Sequence, residues 1–300
     1  MFHVKNNQNM NKHCPWCGSE NAKLHLKLKD EFLTKEAFEI YECEDCRLLY
    51  TEPRPTEDKI GAYYKSEDYY SHQENKKGFI PKVYEMVKGV NLKAKYKMAT
   101  ENLHAGHVLD IGCGVGDFLH TMEQNHWETT GIEPSEDAKA IAKKRIKAQI
   151  YAPEEIGLLQ DESFDLITMW HVLEHVDDLK SEVQHLYRLL KKGGRLVLAL
   201  PNYQSFDAQH YKEFWAAYDV PRHLNHFCQK SINNIFSNSG LELKKIDKLV
   251  WDAYYISFMS EKYQGHSMAL ARGLVKGLQS NIKAKKSGEW SSLVYVLNKN

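Results

Sequence analysis

The sequence predicts an α/β chain, a sheet with helices on both of its faces, preceded by a small four-cysteine module. Three observations carry this. The apolar run Val108-Leu109 leads into the glycine turn Asp110-Ile-Gly-Cys-Gly-Val-Gly116 and then a helix-like run from Asp117. Buried-strand segments such as Phe164-Asp-Leu-Ile-Thr-Met-Trp170 alternate with helical periodicity such as Leu179, Val183, Leu186 and Leu190. The pairs Cys14-Pro-Trp-Cys17 and Cys43-Glu-Asp-Cys46 repeat the pattern C-x-x-C near the amino terminus.

Residues 1–52 form the cysteine module. Thiolates two residues apart on a tight turn can bind one metal ion together, and two such turns complete a tetrahedral shell. Cys14, Cys17, Cys43 and Cys46 are therefore expected to hold one structural zinc in a ribbon-like module, with Gly18 following the first pair. Four thiolates leave no open position for water or substrate, and metal binding supplies the folding energy that so small a core lacks. The module has two open roles, recognition of the acceptor and packing against the rest of the chain. Disulfides are disfavoured by the regular spacing and by a reducing compartment. Cys113 and Cys228 have no partner in the spacing.

Composition bounds the partners. The 300 residues carry 40 lysines and arginines against 40 acids, so no global field draws the chain to nucleic acid or an anionic membrane. Arg272, Lys276, Lys283, Lys285 and Lys286 read as a solvated basic face, as do Lys139, Lys143, Lys144, Arg145 and Lys147. The start Met1-Phe-His-Val-Lys-Asn6 lacks the apolar run of a secretion signal, and no stretch approaches the ~20 apolar residues of a membrane span. A cytoplasmic location is expected.

Residues 53–102 read as a helical linker or cap. Glu52-Pro-Arg-Pro55 suits an extended link. Tyr63, Tyr64, Tyr69 and Tyr70 follow, and then a helix from Pro81 with Val83, Val87, Val90, Ala94 and Met98 on one face.

The main domain is residues 103–300. Gly112, Gly114 and Gly116 let a ligand lie against the backbone of the turn, and the helix behind it offers unpaired N–H groups. A dinucleotide fingerprint reads G-x-G-x-x-G, whereas this turn reads D-x-G-x-G-x-G, which favours a cofactor carrying an amino acid over one carrying a pyrophosphate. Thr129-Thr-Gly-Ile-Glu133 reads as a second strand ending in an acid, at the ~20-residue offset where a carboxylate meets ribose hydroxyls. Leu189-Leu-Lys-Lys-Gly-Gly-Arg-Leu-Val-Leu198 ends a helix and opens another strand. Leu241–Ile246 and Ser292–Leu297 look like the last two strands, with insertions at about 202–230 and 262–288.

These segments, in this order, resemble the class I S-adenosylmethionine-dependent methyltransferases. The resemblance implies a Rossmann-like seven-stranded methyltransferase sheet with helices on both faces, plus the zinc ribbon. It implies that Asp110, Gly112, Cys113, Gly114 and Gly116 hold the methionine part of S-adenosylmethionine, that Glu133 binds the ribose, and that Tyr151 and Ala152 flank the adenine. The segment before the first strand is implied to cover the cofactor cleft.

The acceptor side rests on two segments. His171-Val-Leu-Glu174-His175 follows the fourth strand, where this fold places acceptor-binding residues. It resembles the E-x-x-E-H metal site of ubiquinone-pathway O-methyltransferases, with His171 in place of the first carboxylate. A base or positioning role for His171 and a structural hydrogen bond for His175 are therefore preferred to a catalytic metal. Trp215-Ala-Ala-Tyr-Asp219-Val-Pro-Arg222-His223-Leu-Asn-His226-Phe resembles a loop pattern of the same superfamily. Trp215, Asp219, Arg222 and His226 are candidate acceptor contacts, with Arg222 a clamp for carboxylate or phosphate and His223 or His226 a proton acceptor.

The expected activity is methyl transfer to a small-molecule or sugar-linked acceptor. The alternatives are a ribbon-guided RNA or other nucleic-acid methyltransferase, against which the neutral charge counts, and a noncatalytic protein keeping the cofactor fold.

Overall fold

A computed structural model of the chain describes residues 13–64 and 79–300. Strands β1 (Ala22–Lys29), β2 (Ala37–Cys43) and β3 (Leu49–Glu52) come first. There follow α1 (Phe79–Thr100), β4 (His107–Ile111), α2 (Asp117–Gln124), β5 (Glu128–Ile132), α3 (Glu136–Ala142), β6 (Gln149–Tyr151) and β7 (Phe164–Trp170). After α4 (Leu179–Leu189) and β8 (Leu190–Pro201) come α5 (Phe206–Tyr211), β9 (Asn225–His226), α6 (Gln229–Phe236) and β10 (Leu241–Lys248). The chain closes with α7 (Asp252–Tyr263), α8 (Ala269–Ser287) and β11 (Ser292–Lys299).

Seven of these strands make the main sheet, in the order β10-β11-β8-β7-β4-β5-β6. The central strand β4 pairs in parallel with both β5 and β7, so the chain order reverses at β4 and opens a crevice beyond its carboxyl end. Only β11 runs antiparallel to its neighbours, β8 and β10. Apolar residues of β4, β7 and β8 bury both faces of the sheet, as the near-continuous apolar runs of a covered parallel sheet require. Helix starts follow their caps: Ser135 accepts from the Ala138 N–H before α3, and Asp178 from the Ser181 N–H before α4.

The cysteine module is not a separate appendage. β3 pairs with β9, so the segment after β8 contributes a strand to the small sheet, whose order is β1-β2-β3-β9. Leu28, Phe38, Ile40 and Leu49 share one core with Tyr203, Tyr211, Trp215 and Tyr218. The Tyr203 hydroxyl donates to the Arg47 carbonyl, and the Asn234 amide donates to the Cys46 carbonyl.

Two expectations change. The buried side of α1 carries Ala99 with the half-buried Leu92 and Tyr96, one step round from the expected row, in which Val90 is 49% exposed and Ala94 is exposed. Tyr69 and Tyr70, and the side chains of Val83 and Val87, lie outside the described residues. Most of the insertion at 262–288, left without an element by the sequence, is the helix α8, paired lengthwise with α7. Gly273 and Gly277 allow this, because a Cβ at either would stand 2.5 and 2.7 Å from the backbone of Phe258 and Tyr254.

Candidate active site

The glycine turn joins β4 to α2 at the crevice. Gly112, Gly114 and Gly116 all have positive φ, and each meets something different. A Cβ at Gly112 would strike Val172, and one at Gly116 would strike Ile146 at 2.7 Å, so these two positions need glycine for packing as well as for backbone freedom. Above Gly114 nothing lies within 4 Å, which leaves the turn open on that side to a ligand.

Two carboxylates flank the turn. Asp110 is buried at the end of β4 and accepts from the Thr168 hydroxyl of β7 at 2.6 Å. Burial pushes its pKa up to about 7, against the opposing pull of Thr168 and Lys95. Glu133, just beyond β5, accepts from the backbone N–H groups of Gly114 at 2.8 Å and Ser135 at 2.9 Å. That ties the second strand to the turn and leaves each oxygen one further lone pair for a ligand hydroxyl. The buried Cys113 points its sulfur toward Gly131, where an added Cβ would stand 2.7 Å away, consistent with a filler. The backbone at Tyr151 is fixed by its carbonyl, which accepts from Glu133, and Ala152 is held by Glu155. Lys95 of α1 lies over the Trp170 ring, with Asp110, Asp117 and Asp252 contributing to its electrostatics. Neither Thr168 nor Lys95 carries a sequence motif that would single it out.

Where the chain leaves β7, a cavity of about 410 Å³ is lined by His171, Glu174, Asp219, Arg222 and His223, closed by Phe32 of the cysteine module and by Asp252, Tyr255, Ile256, Met259 and Tyr263 of α7. The structure thus brings together His171, His223, Asp219 and Arg222, four of the candidate acceptor residues. A wider open recess of about 1010 Å³ lies between His107, Trp127 and Leu158, and of the candidate site residues it touches only Tyr151.

His171 stands at φ 61°, a strained conformation for a residue with a side chain, where the chain leaves β7. Its ring bridges Asp252 at 3.0 Å and Glu174 at 3.5 Å. Burial works against a charged ring, but the two carboxylates outweigh it and push the pKa up to about 9. His171 is therefore a cation at neutral pH, suited to orienting groups and not to taking a proton. The ion cluster has a pH signature. Because the folded pKa exceeds the unfolded value of about 6.5, its stabilisation is complete below about pH 6.5 and disappears as pH rises through 9. Thermal melts between pH 6 and pH 10 should show a steeper loss for the wild type than for His171→Asn; parallel curves would contradict the pairing.

His223 donates from Nδ1 to the Ala217 carbonyl at 2.8 Å, which leaves Nε2 as an acceptor. His175 lies behind it, ring against ring at 4.6 Å, and donates from Nδ1 to the Arg222 carbonyl at 2.9 Å. Burial, helped by His223, holds the His175 pKa down to about 4, so it is a neutral spacer. Glu174, His175 and His223 each place one ligand-type atom within 4.8 Å of the others, and the buried Glu174 carboxylate has the His171 ring as its ion-pair partner at 3.5 Å.

The remaining candidates serve the seam. Arg222 is buried and its guanidinium is taken: it pairs with Asp30 of the module at 2.8 Å and with Asp219 at 2.6 Å, donates to the Tyr63 carbonyl and lies over Phe32. It forms a wall of the cavity, but its charge is already answered inside the protein. His226 donates from Nε2 to the Thr51 hydroxyl at 3.0 Å across β9 and β3, and burial keeps its pKa well below the usual value. Trp215 is buried, donates to Asp207 at 2.9 Å and does not line the acceptor cavity.

In the module, Cys14 and Cys46 sulfurs are 3.5 Å apart, as are those of Cys17 and Cys43, and all four fall within 4.8 Å of one another. A tetrahedral zinc with Zn–S bonds of about 2.3 Å needs sulfurs about 3.8 Å apart, so the donor set fits. Both turns close alike, with a left-handed residue, Gly18 and Arg47, directly after the second cysteine. The disulfide alternative is not realised: all four thiols are free.

Residues 85–246 match the family described as methyltransferase domain. A ubiquinone biosynthesis O-methyltransferase of Idiomarina loihiensis is 32% identical over 110 residues, 34% of this chain and 45% of that protein. A malonyl-[acyl-carrier protein] O-methyltransferase of Enterobacter lignolyticus is 31% identical over 125 residues, 41% of this chain and 49% of that protein. The chain thus spans about half the length of these curated relatives. A geranyl diphosphate methyltransferase solved with GPP and sinefungin superposes with a TM-score of 0.50 at 11% identity, covering 70% of this chain and 79% of that one, a likeness of fold alone. With its match across more than half the residues and its Rossmann-like seven-stranded sheet, the chain belongs to the methyltransferase-domain family of S-adenosylmethionine-dependent methyltransferases.

Proposed function

We propose that this protein transfers a methyl group from S-adenosylmethionine to a small-molecule or sugar-linked acceptor held in the cavity between β7, the 215–223 loop and α7. The observation that carries the reading is the adjacency of the two sites. Asp110 of the cofactor turn is hydrogen-bonded to Thr168 on β7, and His171, a wall of the cavity, directly follows that strand. When bound, S-adenosylmethionine supplies an electrophilic methyl, and Asp110, Gly114 and Glu133 are the residues that would hold it. The enzyme's remaining task is to dry and align the acceptor. The apolar side chains of Ile256, Met259 and Phe32 exclude water there, and the fixed His171, Glu174 and Asp252 cluster orients a polar acceptor. His223, with Nδ1 committed to Ala217, is the candidate base through Nε2. The relatives' names specify O-methylation, which supports an oxygen acceptor.

His223→Ala should lower kcat by about 10²–10⁴-fold, the scale of a lost general base, with cofactor affinity unchanged. Unchanged turnover would remove His223 from the chemistry. The acceptor itself is sought by incubating the protein with isotopically labelled S-adenosylmethionine and a metabolite extract; label found only in added RNA would favour the ribbon-guided nucleic-acid enzyme.

The module is proposed to hold one structural zinc at Cys14, Cys17, Cys43 and Cys46 and to serve the acceptor side, because its Phe32 and Asp30 shape the cavity wall. A divalent cation at Glu174, His175 and His223 is a second reading of the same pocket. It is favoured by the closeness of these three groups and by the two Nδ1 groups bound to carbonyls, an arrangement that leaves Nε2 free for a ligand. Titration of zinc-loaded protein with Mn²⁺, which has little preference for thiolates, distinguishes it from the base reading.

A further inference from the structure

Helix α8 is built inside out. The face it turns to α7 and α5 carries Ala269, Gly273, Gly277, Ser280, Asn281 and Ala284, all small or polar. Its large aliphatic residues point away. Leu270, Leu274, Leu278 and Ile282 are 62%, 50%, 50% and 52% exposed, and spacing by four sets them in one stripe about 18 Å long. Val275 widens the stripe at 55% exposure, and among the described residues nothing covers it. Folding does not demand this pattern, since a helix needing only to pack on α7 would be polar outside. A contiguous apolar surface of this kind marks an interaction site.

Charge selects the occupant. From Ser267 to Gly288 there is no acidic residue, while Arg272, Lys276, Lys283, Lys285 and Lys286 lie on the same helix. On a helical projection Lys276 lies between the stripe and the packed face, Lys286 lies at the border of the stripe and Lys285 falls in line with its carboxyl-terminal end, whereas Arg272 is paired with Glu261 and Lys283 lies over the Phe206 ring. A second copy of the chain meeting this surface about a twofold axis would set Lys276, Lys285 and Lys286 against their own copies. An apolar stripe edged by lysines instead matches a helix lying in the plane of an anionic bilayer, with the aliphatic groups among the acyl chains and the ammonium groups at the headgroups. No helix among the described residues is long and apolar enough to cross a membrane, and lying on one requires no such length.

We propose that α8 docks this protein on anionic lipid surfaces. α7, packed along α8, begins directly after the exposed Trp251 and contributes Tyr255, 59% exposed, to the cavity lining. Aromatic residues of this type settle at the headgroup level.

The test is co-sedimentation of the full chain with large vesicles of phosphatidylcholine alone and of phosphatidylcholine with phosphatidylglycerol. Wild type should bind the anionic vesicles at least about tenfold more tightly than the neutral ones. Lys276→Gln/Lys285→Gln/Lys286→Gln should weaken that binding by about fivefold per lysine. Leu274→Ser/Leu278→Ser should abolish it while leaving cofactor affinity and melting temperature near those of wild type. Failure of the folded wild type to bind anionic vesicles overturns the proposal. So does a stable dimer in light scattering that the Leu274/Leu278 variant converts to monomer, with vesicles unbound, since that assigns the stripe to a second copy.

Discussion

Arg222→Met should destabilise the folded chain by about 3–5 kcal/mol, because it removes the cationic partner of a buried carboxylate and leaves that charge uncompensated. Asp30 is fully buried. Burial alone would raise its pKa, but Arg222 and the N–H groups of Thr34 and Leu33 hold the carboxyl below its usual range, so it is charged in the folded chain. Without the guanidinium, Asp30 must take up a proton or drag the β1–β2 turn toward solvent. Urea unfolding read by circular dichroism measures the loss, and the double variant Asp30→Asn/Arg222→Met should recover part of it. A loss under 1 kcal/mol would mean that the pair is not buried in solution as it is here. The variant should also raise the acceptor KM, since Arg222 and Phe32, stacked on each other, form one wall of the cavity.

Loss of the proposed zinc should have the second large effect. Cys46→Ser, or exhaustive chelation, is expected to remove one zinc per chain and unfold the small sheet, because structural zinc sites supply about 10–16 kcal/mol of apparent folding free energy in isolated modules. Here the damage spreads along identifiable contacts. β3 holds β9, which immediately follows the His223 segment, and the Thr51 hydroxyl donates to the His223 carbonyl. Methyl transfer should therefore fall sharply while cofactor affinity, set by β4 and β5, changes little. Elemental analysis alongside calorimetry separates the two, and a metal-free protein with an unaltered melt would show that the four sulfurs hold nothing the fold needs.

What the sequence revealed and concealed follows from the range of the interactions. The turn Asp110 to Gly116 was legible because its constraints are local: each glycine answers a positive φ or a close approach within its own loop or to a side chain beside it. The four cysteines were legible for the same reason, since each pair shares one tight turn. The pairing of Arg222 with Asp30 was not legible, because Asp30 is 192 residues away and nothing in the spacing of either foretells the pair. Asp252 was missed as the partner of His171, although α7 delivers it to the cavity. It sits in a helix whose pattern carries no motif. The helix α8 was read as solvated insertion because its lysines dominate the composition, while its apolar residues face away from the core that periodicity is normally used to find.

The central claim is that the crevice beyond β4 and β5 binds S-adenosylmethionine beside the acceptor cavity. Isothermal titration of S-adenosylmethionine into wild type and Glu133→Ala tests it most directly. Wild type should bind one equivalent, and the variant, still folded, should bind about 1–3 kcal/mol more weakly, the scale of a lost charged hydrogen bond. No binding by folded wild type, or equal affinity in the two proteins, would contradict the placement of the cofactor on this turn.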